Sequence, residues 1–108
     1  MKLSDNFSLH EFTRSQTATR HGIDNTPSKE IIGNLQSLCL GVLQPVRQHF
    51  QKPMIISSGY RCVELNIKIG GSITSQHVQG QAADIEVLKI SNLELSDWIN
   101  KNLSFDQL

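Results

Sequence analysis

Apolar residues recur at intervals of three and four through the middle of the chain, which predicts one long amphipathic helix. The apolar positions are Ile31, Ile32, Leu35, Leu38, Cys39, Val42, Leu43, Val46 and Phe50. Thr26-Pro27 predicts the start of this helix, because threonine caps helices and proline is well tolerated at the first helical position. Pro45 interrupts the pattern, so we expect a kink or a break there while the apolar face continues. We expect this helix to be the main scaffold.

Two Ser-x-x-Glu capping boxes predict where shorter helices begin. The first, at residues 8–11, opens a helical turn that brings Leu9 and Phe12 to the core. The second, at residues 91–94, opens a helix near the end of the chain. The core face of this last helix is predicted at Leu95, Trp98 and Ile99.

Glycines are predicted to end two further helical segments, because glycine accepts the left-handed conformation that often terminates a helix. Residues 15–21 precede Gly22, and residues 63–69 precede Gly70-Gly71. Both segments are short, so we expect a turn or two of helix in each.

Short apolar runs predict the strands. Residues 54–57 and 82–87 have the length and composition of strands, and residues 104–108 look like the start of another. Helices packed on one side of a small antiparallel sheet, an α+β arrangement, fit this order of elements. The length of 108 residues predicts a single domain spanning 1–108.

Composition and charge limit the classes of function that this sequence suggests. The ten basic and ten acidic residues balance, which does not suggest a polyanion-binding surface such as one for nucleic acid, but leaves room for a local patch. The N-terminus is polar and has no signal-peptide core, and no apolar run has the length of a membrane span. We expect synthesis in a cytoplasm, with retention there or release by another route, at lysis or on a phage particle.

The two cysteines, Cys39 and Cys62, are predicted to be reduced and structural. They are far apart in sequence and form no C-x-x-C, and the chain shows no export signal. Cys39 falls on the apolar face of the long helix. Cys62 follows Arg61, whose charge favours a thiolate, but no partner base is apparent for catalysis.

The most informative segment spans residues 75–84, Ser-Gln-His-Val-Gln-Gly-Gln-Ala-Ala-Asp. Imidazole nitrogen and carboxylate oxygen are good zinc ligands, so His77 and Asp84 are the candidates. A turn at Gly80 would bring both side chains to one point, since glycine accepts positive φ. Ser75 is placed to hydrogen-bond the histidine side chain or its backbone and so to set the ring orientation. A histidine seven residues from an aspartate is common, however, so the prediction depends on the whole set together with Ala82.

The pattern Ser-x-His-x-x-Gly-x-Ala-x-Asp resembles the signature of the zinc D-Ala-D-Ala carboxypeptidase and dipeptidase family of peptidoglycan peptidases. This family includes phage endolysins and the dipeptidases of vancomycin resistance. The resemblance, closest to the phage endolysin-like branch, extends in order over nearly the whole chain. Its other segments are Phe7-Ser8-Leu9-His10-Glu11-Phe12, Ser57-Ser58-Gly59-Tyr60-Arg61, Leu65-Asn66, Gly70-Gly71-Ser72 and Phe105-Asp106-Gln107-Leu108.

This resemblance implies a fold of the Hedgehog and D-Ala-D-Ala-peptidase type and a zinc-dependent peptidase acting on peptidoglycan stem peptides. His77 and Asp84 would be the first two zinc ligands. Arg61 would stabilise the oxyanion of amide hydrolysis, a role that suits a fixed guanidinium; as an alternative it is a surface arginine in a turn. Tyr60 would line the pocket or pack against the core, and we favour packing.

The family pattern continues with a tryptophan-histidine segment that supplies the third zinc ligand, preceded by the acid-base residue, and this sequence does not contain it. We therefore expect a C-terminally truncated domain that binds zinc weakly and hydrolyses little by itself. Three other histidines and one glutamate are poor substitutes for the missing ligand. They are His10, His21, His49 and Glu86, of which His21 and His49 are explained as helix-end residues.

Two other functions remain open at this stage. One is a cell-wall-binding or phage structural module derived from the same family that does not cut. The other is a structural domain whose partner supplies the missing strand, because an unpaired final strand invites pairing with a second copy.

Overall fold

The computed structural model describes residues 1–72 and 75–103. Within these residues the chain forms small antiparallel sheets and helices, which confirms the α+β prediction. The elements in chain order are β1 (Lys2–Ser4), β2 (Phe7–Ser8), α1 (Leu9–Thr13), α2 (Gln16–His21), α3 (Lys29–Leu38), a π-helical turn (Cys39–Leu43), α4 (Gln44–Phe50), β3 (Met54–Ser58), α5 (Val63–Lys68), β4 (Asp84–Val87) and α6 (Asn92–Asn102). The strand predicted at residues 104–108, and the dimer that depends on it, lie outside the described residues.

The first hairpin, β1 paired antiparallel with β2, was not predicted from the sequence. It buries Leu3 and Phe7 in the core, and Phe7 packs at a tilt on Phe12 with ring centroids 6.3 Å apart. The predicted capping box then opens α1, since the Ser8 N–H donates to the Glu11 carboxylate at 2.8 Å. As a result Phe12 is fully buried, as expected.

The long helix begins two residues later than Thr26-Pro27 predicted. The Asp24 carboxylate accepts hydrogen bonds from both the N–H and the hydroxyl of Thr26, so Thr26 belongs to a turn rather than to a helix cap. Ser28 is the cap instead, and its hydroxyl accepts the Ile31 N–H at 3.3 Å. The prediction of the start was therefore wrong, because a competing side-chain hydrogen bond outweighed the Thr-Pro pattern.

The helical path continues past Pro45, but it widens into the π-helical turn just before that residue. Proline has no N–H to donate to the carbonyl four residues earlier, and its ring crowds that carbonyl. A wider turn relieves both problems, and insertions of this kind are a known cause of helix bending. The predicted irregularity at Pro45 is thus confirmed, with the apolar face intact on both sides.

The second sheet pairs β3 antiparallel with β4, with Ile56 opposite Ile85 and Ser58 opposite Asp84. A bulge lies between Ile56 and Ser58. Because β3 ends at Ser58, the chain just before Asp84 has no partner strand in the part of the chain that the structure describes. The strand predicted over residues 82–87 therefore starts only at Asp84, and Ala82 and Ala83 belong to the loop before it.

Two apolar clusters make the core. The larger joins β1, β2, α1, α3, the π-helical turn and β3, and includes Phe12, Leu35 and Cys39, each fully buried. The smaller fixes α6 through Leu95 and Ile99. In this cluster the Trp98 ring stacks on His49, with centroids 4.3 Å apart. No helix in the described part of the chain is long and apolar enough to cross a membrane.

Candidate metal centre

A tight turn over residues 76–80 holds His77. The Ser75 hydroxyl accepts the His77 N–H at 3.2 Å, and the Ser75 carbonyl accepts the Val78 N–H at 3.1 Å. Gly80 ends the turn with φ of 71°. Ser75 and Gly80 thus shape the loop. The Ser75 hydroxyl binds the His77 backbone rather than the ring, and Gly80 supplies a positive φ that is costly for residues with a Cβ.

The turn over residues 76–80 packs closely against α3. A Cβ atom on Gly80 would lie 2.9 Å from Cγ2 of Ile31 and 3.3 Å from Cγ of Leu35, so the backbone approaches the helix as closely as it can. Asn34 also donates its side-chain amide to the Gln79 carbonyl at 2.8 Å. The position of His77 is therefore set by the main scaffold helix.

The imidazole of His77 is oriented by the backbone of Gly59. Its Nδ1 atom lies 2.7 Å from the Gly59 carbonyl oxygen. A carbonyl can only accept, so Nδ1 carries the proton and Nε2 presents its lone pair. This is the arrangement typical of metal-binding histidines, in which the second ring nitrogen donates to a backbone carbonyl or a carboxylate.

Asp84 faces this lone pair. Its Oδ2 atom lies 3.8 Å from Nε2 of His77, which is too far for a direct hydrogen bond. The two groups differ in exposure, since the His77 side chain is 14 % exposed and the Asp84 side chain 63 %. Ser57 positions the Asp84 backbone by donating its hydroxyl to the Asp84 carbonyl at 3.1 Å.

This pair fits a zinc ion in donor type and nearly in spacing. Two ligand atoms about 2.0–2.1 Å from zinc at a tetrahedral angle lie about 3.3–3.4 Å apart. A small rotation of the exposed Asp84 carboxylate would close the difference from 3.8 Å. Within residues 1–72 and 75–103, however, no group of three or more histidine, cysteine, aspartate or glutamate side chains is placed to hold a metal.

Arg61 lies against the same turn. Its backbone N–H donates to the His77 carbonyl at 3.2 Å, and its Nη1 atom lies 3.3 Å from the Ser58 hydroxyl. The Nε–H is buried and has no hydrogen-bond partner among the described residues. A buried guanidinium N–H without a partner is costly, and a ligand could use this donor only after the side chain shifts to expose it.

Tyr60 packs against the larger core cluster and also lines the groove between α1–α2 and β3, so both of its alternatives describe part of its position. Its backbone N–H donates to the Phe12 carbonyl at 2.7 Å. Partial burial raises the pKa of the Tyr60 phenol, and the nearby Cys62 and Asp24 add to that effect. The neighbouring residue Gly59 is buried tightly, because a Cβ there would lie 2.7 Å from Cα of Phe12.

Asn25 is a structural residue of the site that the sequence did not reveal. Its buried side-chain amide donates to the carbonyls of Thr13 and Tyr60, and its oxygen accepts the Cys62 N–H at 2.7 Å. It therefore ties the end of α1 to the segment that carries Arg61. A single asparagine in a loop carries no periodic signal, so only its contacts identify this role.

The remaining histidines lie elsewhere. His10 is on α1, His21 is in the last turn of α2, and His49 is in the last turn of α4 against Trp98. Glu86 is exposed on β4. The structure thus brings together the predicted ligands and leaves these alternatives outside the centre.

The two thiols are free, as expected from the sequence. Cys39 is fully buried in the larger core cluster. Cys62 caps α5, with its sulfur accepting the Leu65 N–H at 3.5 Å. Both positions are explained by structure rather than by catalysis.

A protein-family model described as Peptidase M15 matches residues 5–108, which is nearly the whole chain and includes every residue of the candidate centre. Comparisons with curated proteins and with solved structures gave no match.

Proposed function

The chain belongs to the peptidase M15 family, the zinc D-Ala-D-Ala carboxypeptidase type, and we propose from that membership that it acts as a zinc-dependent peptidase on the stem peptides of bacterial peptidoglycan. The observation that carries the proposal is the approach of Nε2 of His77 to Oδ2 of Asp84, at 3.8 Å. Membership in the family supports peptidase activity, and the geometry places two metal-binding atoms, Nε2 of His77 and Oδ2 of Asp84, close together.

In this proposal His77 binds zinc through Nε2 and Asp84 through Oδ2. Zinc held there supplies the Lewis acidity that amide hydrolysis requires. The chain's own contribution is to orient the ligands. Gly59 fixes the imidazole ring through Nδ1, and Ser57 holds the backbone at Asp84. Ligands oriented in this way lose little freedom when the metal binds.

Arg61 is proposed as the group that stabilises the negative charge on the substrate carbonyl oxygen. Its backbone is fixed to the turn that carries His77, and its buried Nε–H has no partner within residues 1–72 and 75–103. Hydrogen-bond donors fixed beside a developing oxyanion are among the largest contributions to catalysis of acyl transfer.

A catalytic zinc usually has three protein ligands, and a general base must lie beside it. Because the described residues bring only His77 and Asp84 together, we place the third ligand and the base outside them. We accordingly propose that the described residues, without that ligand and base, bind zinc weakly and hydrolyse little.

The test is a hydrolysis assay of the protein. Purified protein is incubated with a peptidoglycan stem pentapeptide, and the products are identified by mass spectrometry. We expect cleavage that stops in 1,10-phenanthroline and returns when zinc is added. Equal cleavage with and without the chelator would rule out a zinc mechanism.

A second candidate function is a cell-wall-binding module that does not cut. The two-ligand set of the described residues favours it, since such a centre is poor for catalysis. Co-sedimentation of metal-free protein with purified peptidoglycan, together with no cleavage in zinc, would support this alternative. Absence of sedimentation would count against it.

A further inference from the structure

A groove of about 1270 Å³ runs between the α1–α2 region and β3, beside the metal centre. The described side chains that line it include the cations Arg14, Arg20 and Arg61, together with His10, and include no aspartate or glutamate. The chain as a whole has no net charge, so this groove concentrates positive charge locally. A cleft lined by one sign of charge attracts ligands of the opposite sign.

The three guanidinium groups lack a carboxylate partner, since none of them forms an ion pair among the described residues. Arg14 is held at the edge of β3 by a long contact from Nη2 to the Ile56 carbonyl, at 3.5 Å, which leaves most of its donors unused. Arg20 is exposed on the last turn of α2. The planar guanidinium fork matches the geometry of a carboxylate.

Apolar side chains share the groove with these cations. Ile55 is 50 % exposed and Ile69 is 45 % exposed, and both line it. Pockets for drug-sized ligands enclose about 300–1,000 Å³, so this groove has room for a ligand of several residues. Carboxylates combined with small apolar groups describe an acidic peptide better than a nucleic acid, whose bases stack on successive aromatic side chains, whereas among the described residues Tyr60 is the one Phe, Tyr or Trp that lines the groove.

Arg61 connects the groove to the metal centre. Its side chain lines the groove, whereas its backbone N–H donates to the His77 carbonyl. Neither His77 nor Asp84 lines the groove itself. A ligand in the groove would therefore meet the centre along residues 57–61, where Ser57 and Gly59 also line the groove and contact Asp84 and His77.

We propose that this groove binds the carboxylate-bearing part of a peptide ligand, and that Arg14 and Arg20 determine specificity for it. The peptide lies along β3, and its continuation past Arg61 reaches the candidate metal centre. The identification of the ligand as a stem peptide rests on the proposed function. The binding of an acidic peptide by Arg14 and Arg20 does not depend on that proposed function.

The experiment measures binding in EDTA, so that zinc and hydrolysis play no part. The probe is a fluorescent tripeptide, L-Ala-γ-D-Glu-L-Lys, compared with the same peptide in which both carboxylates are amides. We expect Arg14→Gln combined with Arg20→Gln to weaken binding of the acidic probe by about tenfold or more, since charge-assisted hydrogen bonds are lost. Amidation of the probe's two carboxylates should weaken its binding to the unmodified protein by a similar factor. The same amidation should change the affinity of the glutamine variant little.

Two controls separate this from loss of folding or of bulk charge. Arg47→Gln, on α4 and outside the groove, should leave the affinity unchanged. The pair Arg14→Lys and Arg20→Lys keeps the charges and should recover part of the affinity. Thermal unfolding of each variant checks that Arg14 is not required for folding through its contact with Ile56.

Equal affinity of the glutamine variant and the unmodified protein for the acidic probe would overturn the proposal. Displacement of the probe by single-stranded oligonucleotide, dependent on the same arginines, would assign the groove to a nucleic acid instead and would equally overturn it. Arginine-dependent peptide binding without any zinc-dependent cleavage would uphold this inference while refuting the proposed function. Zinc-dependent cleavage that does not change when Arg14 and Arg20 are replaced would support the proposed function and refute this inference.

Discussion

The Nδ1 atom of His77 lies 2.7 Å from the carbonyl oxygen of Gly59, a residue 18 positions earlier in the chain. This contact joins the loop after β3 to the turn before β4. It also selects the tautomer that leaves Nε2 free to bind a metal. The chemistry proposed for His77 thus depends on the exact course of the backbone at Gly59.

Replacing either proposed ligand should reduce zinc affinity. For His77→Ala we expect a loss on the order of 100-fold, because removing even an outer-shell partner of a ligand costs 10–100-fold. Asp84→Asn keeps the shape but removes the charge, and it should lose affinity as well. Competition with a chromophoric chelator measures both. His21→Ala, at an exposed histidine on α2, is the control, and equal affinities for the His21 and His77 variants would contradict the assignment.

Gly59→Ala should destabilise the fold. Its Cβ would lie 2.7–2.8 Å from the backbone and Cβ of Phe12, a fully buried residue that cannot easily move. We expect the free energy of unfolding to fall by about 1–3 kcal/mol. Gly33→Ala is the matched control, because that glycine is in α3 with open space around it and should gain about 0.5–1 kcal/mol. Chemical denaturation should show a lower free energy of unfolding for Gly59→Ala and a higher one for Gly33→Ala than for the unmodified protein.

Gly80→Ala tests how firmly the His77 turn is seated on α3. At Gly22 the φ angle is 66° and a Cβ would meet nothing within 4 Å, so Gly22→Ala measures the cost of backbone conformation alone, roughly 1–2 kcal/mol. At Gly80 the φ angle is similar, 71°, but a Cβ would also press on Ile31 at 2.9 Å. We therefore expect a larger loss of unfolding free energy for Gly80→Ala. Equal losses would show that the turn is not held against the helix.

Asn25→Ala should cost about 2–3 kcal/mol of unfolding free energy, since it leaves the Thr13 and Tyr60 carbonyls and the Cys62 N–H without their partner. The control is Asn34→Ala, which removes a single exposed bond to Gln79 and should cost about 1 kcal/mol or less. Urea denaturation distinguishes the two. If both variants lose the same small amount, Asn25 does not have the structural role assigned to it.

The Cys39 thiol should make stability depend on pH in the alkaline range. Burial raises the pKa of Cys39 from 9.0 to about 12, with a smaller contribution from Glu11. The unfolded state therefore loses this proton at lower pH than the folded state. The stabilisation is fully present below about pH 9 and is lost as pH rises towards 12, with a slope of up to about 1.4 kcal/mol per pH unit.

Cys39→Ala isolates this effect from the other groups that titrate in the same range. The variant should be less stable at neutral pH, because it leaves a small cavity, but its stability should fall less steeply above pH 9. Denaturation curves at several values between pH 8 and 10.5 measure both slopes. Parallel pH profiles would show that Cys39 is not the group responsible.

The helices were predictable because their signals are local. The spacing of Ile31, Leu35, Leu38 and Val42 specifies one helical face whatever surrounds it, and the Ser91 cap is present as expected. The start of α3 was predicted wrongly because two neighbouring caps competed, and the sequence does not show that Asp24 engages Thr26. The hairpin β1–β2 was missed because strands of three and two residues are too short to show a period.

The sequence by itself determined the fold class, the family and the identity of the candidate ligands, since residue types at fixed spacing carry all three. Only the tertiary structure decided that Nε2 of His77 faces Asp84, that Asn25 ties α1 to the Arg61 segment, and that three arginines line a common groove. The physical reason is distance along the chain. Helix periods and caps involve neighbours within a few residues, whereas these contacts join segments that the sequence leaves far apart and that packing alone brings together.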